Sequence, residues 1–204
     1  MEKPGKGIIT FDSEGTEGGL YHSRKLHVPT ISSGLTIGRG YDMRFKTALQ
    51  IELDLKKAGI SKEDAKLLSQ SKGLFGQRAK EFVKKHKLEN FEISKDAQIK
   101  LFEITYKEEE SETRRLCTKD DVVQKFGKCD WDNLNPAMKQ ILIDLKYRGD
   151  YRPETREKFQ KIVSDNDAEA FLETIKDKKL WHAVPPDRFN KRVQYYENNY
   201  KSKK

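Results

Sequence analysis

The chain has only two cysteines, Cys117 and Cys129, among 204 residues. A pair is too few for a disulfide framework, and it has no partners at zinc-ligand spacing. Both are expected as free thiols, since so low a count gives no sign of a stapled fold. Long apolar runs are missing as well. No segment approaches the ~20 apolar residues of a membrane span, so no membrane insertion is expected. The opening MEKPGKGIIT runs straight into FDSEG, without the roughly 7–15-residue apolar stretch of a signal peptide. The expectation is therefore a chain with no classical export signal, carried to its place of action by something else. There is no internal repeat and no low-complexity linker. No nucleic-acid-binding motif is present either, and the charges are mixed rather than clustered, so nucleic acid is not an expected partner.

What the sequence does have is charge. Charged residues reach 36% against 35% hydrophobic, a balance that suits small helices with wet outer faces. Lys and Arg number 41 against 33 Asp and Glu, for a net charge of +8. Such an excess attracts polyanions: nucleic acid, an anionic membrane surface or an anionic wall polymer. Composition alone does not choose among them.

Eight of the thirteen glycines fall in the first 45 residues, a density that marks turns and close backbone approaches. Within it, SGLTIGRGYDM alternates β-favouring residues with glycine and predicts a small twisted sheet or hairpin. Helical patterns take over from residue 45. FKTALQIELDLKKAG carries Leu49, Ile51, Leu53 and Leu55 among charges and stops at Gly59. Ser61 and Ser94 are candidate caps for the next two helices. In the second of these, Ile99, Phe102 and Tyr106 recur at helical steps. Asn135-Pro136 opens a segment whose Met138, Ile141, Leu142 and Leu145 form the most apolar helical face, closed by Gly149. Further helices are expected around 154–164 and 166–178 and from Pro186 onward. KEEESE (107–112) reads as a solvated helix face.

Chemistry concentrates at residues 11–43. Cutting a glycosidic bond takes a protonated carboxyl at the leaving oxygen and a second group to manage water or developing charge. Asp12, Glu14, Glu17 and Asp42 all sit near glycines that leave room for a polymer. Taken by spacing alone this is a weak signal, because acidic residues in glycine turns are common.

FDSEG followed by VPTISSGLTIGRGYDM resembles the active-site segment of the phage-type lysozymes, the glycoside hydrolase family 24-like muramidases. The likeness is to their pesticin-like branch of bacteriocins and secreted antibacterial effectors. It lies in Glu14-Gly15 and in Ser33-Gly34-Leu35-Thr36-Ile37-Gly38-Arg39-Gly40-Tyr41-Asp42. It extends loosely past residue 130, through KYRG and PPDRFNKRVQYYE. The resemblance implies Glu14 as catalytic acid, Thr36 as the hydroxyl that positions water, and Asp42 as second carboxylate. One position departs: other phage-type lysozymes carry an aspartate about six residues before the threonine, where this chain has Thr30. Glu17, also followed by glycine, is the rival acid. Tyr21 and Tyr147 are candidate sugar-stacking rings, and His22 and His27 flank a basic loop placed to line a cleft. Arg188 and Arg192 lie four apart on one helical face. In the family an arginine from this region pairs with the catalytic glutamate, so both, with Tyr147, are candidate substrate-site residues.

The implied fold is α+β and mostly α, a single lysozyme-like domain over 1–204. Residues 1–60 would form a small lobe with the sheet and 61–204 a larger helical lobe, with substrate between them. The implied activity is that of a glycosidase: hydrolysis of the β-1,4 bond between N-acetylmuramic acid and N-acetylglucosamine in bacterial peptidoglycan. No cofactor and no metal are implied. The setting would be the periplasm or extracellular wall. The chain is expected as a monomer, alone or within a longer effector, with a cognate immunity protein as a further partner. The competing expectation is a catalytically silent wall-binding or structural module on the same scaffold.

Overall fold

The glycine-punctuated stretch at 34–42 folds back on itself. In the computed structural model, which describes residues 3–19 and 22–201, strands β1 (Thr36–Ile37) and β2 (Tyr41–Asp42) pair antiparallel. Thr36 stands opposite Asp42, and Ile37 opposite Tyr41. Gly38 and Gly40 make the turn at φ 64° and 92°, where a Cβ would be strained. Side chains alternate along a strand. Ile37 and Tyr41 therefore turn into the core, while Thr36 and Asp42 share the opposite face.

The remaining elements are helical: α1 (Ile8–Ser13) before the hairpin, then α2 (Ala48–Lys57), α3 (Lys62–Ser69), α4 (Gly76–Lys85), α5 (Lys95–Thr118), α6 (Asp120–Phe126), α7 (Pro136–Arg148), α8 (Pro153–Ser164), α9 (Ala168–Lys176) and α10 (Pro186–Asn199). The fold is α+β and mostly α. Two compact units divide the chain at Thr105 and Tyr106, inside α5. The first unit thus runs well past residue 60. The reason is its core: Ile51 and Leu55 of α2, Ala65 and Leu68 of α3 and Ala79 of α4 are buried together with Leu35, Ile37, Tyr41 and Met43. Helix α2 turns one stripe inward. Ile51 and Leu55 are fully buried, whereas Leu49 and Leu53 are exposed, as residues two apart on a helix must diverge. Helix α1 joins the unit through Phe11, whose ring meets Phe102 edge-on at 5.0 Å.

In the second unit the apolar face of α7 is buried along Met138, Ile141, Leu142 and Leu145. Phe159 of α8 packs against Phe171 of α9 and Trp181. The Trp181 indole N–H donates to Thr174 O at 2.9 Å, so its polar end is satisfied. The caps behave as the sequence predicts. Ser61 accepts from Asp64 N–H, Ser94 from Ala97 N–H, and Asn135 from the N–H groups of Ala137 and Met138. Gly149 ends α7 in the left-handed region. Among the described residues no helix is long and apolar enough to cross a membrane.

Candidate active site

Glu14 follows the last residue of α1 as its C-cap, with its N–H donated to Thr10 O at 2.9 Å. It is half-buried. The next residue has no freedom in size: a Cβ on Gly15 would lie 2.8 Å from Ser23 Cβ and Oγ and 3.1 Å from Arg39 Cγ. The glycine after Glu14 is thus a steric requirement, letting Glu14's segment close onto its neighbours.

What holds this segment to the hairpin is Arg39, from the turn between β1 and β2. Its Nη1 donates to Phe11 O and, at 2.7 Å, to Gly15 O. Its guanidinium lies 3.9 Å from the centroid of the Phe11 ring. Arg39 is only 6% exposed; the two carbonyls and the ring together make that burial tolerable. Glu14 sits between the two carbonyls that Arg39 grips. Sequence reasoning passed over Arg39; its one signal was its place between two motif glycines.

Thr36 is buried, and its hydroxyl donates to Gly34 O at 3.2 Å. Its backbone also pairs reciprocally with His27, at 2.9 Å in each direction. Across the ladder, Asp42 Oδ2 accepts from Gly34 N–H at 3.1 Å and Oδ1 from Arg44 N–H at 2.8 Å. Those two bonds fix the carboxylate's direction. A carboxylate offers about four acceptor sites, so each oxygen keeps one for another donor. Gly34 is required for this arrangement: a Cβ there would overlap Asp42 Oδ1 and stand 2.8 Å from Arg44 N. Gly34→Ala is accordingly expected to destabilise the protein by about 1–3 kcal/mol through overpacking, read as a lower urea midpoint. An unchanged midpoint would mean that the Asp42 carboxylate is free to move aside.

Glu17 has a different character. Its Oε1 accepts from Gln98 Nε2 at 2.6 Å and its Oε2 from Arg24 Nε at 2.9 Å. Burial raises its pKa, but the Gln98 and Arg24 hydrogen bonds and the charges of Arg24 and His22 outweigh that and hold it below the usual carboxylate range. A carboxyl so held is ionised at neutral pH and has no proton to give a leaving group. Its work is to anchor the loop. His22, 3.1 Å from Glu92, and Arg24, bonded to Glu92 and to Ile93 O, tie the same loop to the segment before α5.

The structure therefore brings Thr36 and Asp42 together as cross-strand neighbours and fastens the backbone around Glu14 to the turn that joins their strands. The substrate-site candidates of the second unit are placed differently. Arg188 and Arg192 are buried and meet at Asp144, with Arg188 Nη2 and Arg192 Nε each 2.6 Å from its carboxylate. Arg192 Nη1 also reaches Asp150 at 3.0 Å. Tyr147 is half-buried on α7, and Tyr21 lies outside the described residues.

No curated protein and no solved structure matches the chain. A match does come from the family described as a domain of unknown function, DUF8812, over residues 7–193. That span begins at the residue before α1, takes in Glu14, the hairpin and both units, and ends within α10; the chain belongs to the DUF8812 family.

Proposed function

We propose that the protein is a muramidase, hydrolysing the β-1,4 bond between N-acetylmuramic acid and N-acetylglucosamine in bacterial peptidoglycan and so lysing walls. One observation carries the reading. A hairpin with Thr36 opposite Asp42 is clamped, through Arg39, to the carbonyls on either side of Glu14. A carboxyl on one element and a hydroxyl–carboxylate pair on another are the groups that acid-assisted glycoside cleavage uses. Glu14 protonates the leaving oxygen. Asp42, oriented by the Gly34 and Arg44 amides, and Thr36 hold the attacking water. The charge of +8 favours encounter with an anionic wall polymer in the periplasm or outside the cell.

Thr36 has a neutral hydroxyl, a poor nucleophile without an adjacent base. The expected course is therefore single displacement, with inversion at the anomeric carbon. The test is digestion of purified peptidoglycan, with mass analysis of the released muropeptides and NMR of the fresh reducing end. Muropeptides ending in N-acetylmuramic acid with an initial α-anomer are expected. An initial β-anomer or a trapped glycosyl-enzyme would recast Asp42 as nucleophile. Binding to the wall without any release would replace the hydrolase by a silent wall-binding module. Asp42→Asn is expected to slow release more than Thr36→Val, because it removes charge stabilisation as well as a hydrogen bond.

A further inference from the structure

Two phenylalanines stand in water beside the candidate site and play no part in the reading above. Phe45 is 85% exposed and Phe75 41%, although such rings ordinarily supply core area. Arg44 joins them. Its guanidinium carbon lies 4.7 Å from the centroid of the Phe45 ring and 4.2 Å from that of Phe75. Ile31, 89% exposed, belongs to the same surface: its carbonyl oxygen would lie 2.5 Å from a Cβ on Gly76, the residue after Phe75. Single exposed apolar side chains are ordinary, but a contiguous group around a cation marks a binding surface.

The patch adjoins Asp42. The Arg44 N–H donates to Asp42 Oδ1 at 2.8 Å. A Cβ on Gly34 would overlap Asp42 Oδ1 and stand 2.6 Å from Arg44 Cβ, so the two side chains flank one glycine. The backbone beneath the rings is fixed. Phe75 forms a bridge with Gly34, Gly76 N–H donates to Ser33 O at 3.0 Å, and Gly73 N–H to Arg44 O at 3.1 Å. Phe75 also holds the N-cap of α4, where Ser, Thr, Asp or Asn would satisfy a helix N–H, and it makes no side-chain bond there. A local rule broken without local gain points to function. Arg44 Nη1 donates to Ser32 O, the guanidinium's one hydrogen bond among the described residues. A guanidinium has five N–H donors, and the others remain for a ligand.

The geometry points to Arg44, Phe45 and Phe75 as a subsite for an anionic glycan, continuing beyond Asp42; the assignment rests on the wall-polymer reading given above. The C–H face of a pyranose lies on the outer face of Phe45. Arg44 takes a carboxylate of the peptide stem that the strand carries, since the lactyl carboxyl of such a strand is tied up in an amide. Two observations favour this occupant over a protein or a lipid surface. The rings surround a fixed cation, which offers an anion its partner as well as a ring its platform. The Asp42 carboxylate next to it has acceptor sites to spare, which suit the hydroxyls of a glycan and repel an anionic bilayer.

The test measures binding of the Glu14→Gln chain to soluble, uncrosslinked peptidoglycan strands, either native or with their carboxylates amidated. Phe45→Ala in that background is expected to weaken binding about fivefold to both, because stacking does not depend on the charge. Arg44→Gln is expected to weaken binding to native strands roughly tenfold and to leave binding to amidated strands unchanged. Neither residue is buried, so the helical circular dichroism is expected to stay as it is. Absent binding, equal binding by all three chains, or an Arg44→Gln loss equal on the two kinds of strand would overturn the subsite. Self-association of the chain, or capture by phosphatidylglycerol vesicles, that Phe45→Ala abolishes would also overturn it, giving the patch to a second copy or to a membrane. The reaction is judged separately. A wild type that binds through the patch but releases no muropeptides refutes hydrolysis and leaves the subsite standing. Release by a wild type whose strand binding is unmoved by both substitutions refutes the subsite alone.

Discussion

Replacing Glu14 with glutamine is expected to lower muropeptide release by about 10²–10⁴-fold, the usual worth of a positioned general acid, with the helical circular dichroism unchanged. Glutamine keeps the size of the side chain, so Gly15 still packs on Ser23 and Arg39 still grips the carbonyls of Phe11 and Gly15. Only the ability to donate a proton to the leaving oxygen is lost. The control is Glu17→Gln. Glu17 is an anchored carboxylate held by Gln98 and Arg24, and its loss should loosen the loop without removing the acid. Glu14→Gln is expected to be nearly inactive and Glu17→Gln to retain most of its rate at low temperature. The reverse order would move the acid to Glu17 and undo the assignment made above.

The largest stability effect is expected at Asp144. Its side chain is fully buried between Arg188 and Arg192. Removing it leaves two desolvated guanidinium groups beside a cavity. Asp144→Ala should therefore cost about 3–5 kcal/mol, the range for breaking a buried ion pair from one side. The measurement is urea unfolding of the wild type and the variant. A loss below about 1 kcal/mol, the worth of a surface pair, would mean that the cluster is open to water. The pH dependence has a definite sign. Burial raises the Asp144 pKa, but the charges and hydrogen bonds of Arg192 and Arg188 outweigh it, so the folded value lies below the ordinary one. A carboxyl depressed on folding contributes stability that is present above its unfolded pKa and lost as pH falls toward the folded one. Acid should thus weaken the wild type from about pH 4 downward, and Asp144→Ala should lack that component.

Local signals in this chain were legible because their partners lie within a few residues. Ser61, Ser94 and Asn135 cap N–H groups two or three positions on, and Gly149 stops α7 through its own backbone conformation. Helix α4 escaped because it lacks such a signal: Phe75 stands at its N-cap without a side-chain bond, and Gly76, its first residue, has φ +52°. Helix α6 also starts without a side-chain cap, at Lys119.

By itself the sequence determined the class of fold, most helix starts and the hairpin, since these follow from periodicity, capping and turn residues; the three residues proposed for the reaction rest on the resemblance of two short segments to a known family. Tertiary structure alone decided how those residues are held and which charges are structural. Arg39 finds its acceptor 28 positions away, Arg188 meets Asp144 across 44, and Gln98 reaches back 81 to hold Glu17. A buried charge is stable only where several distant groups converge on it. That convergence is a property of packing, and no stretch of sequence displays it.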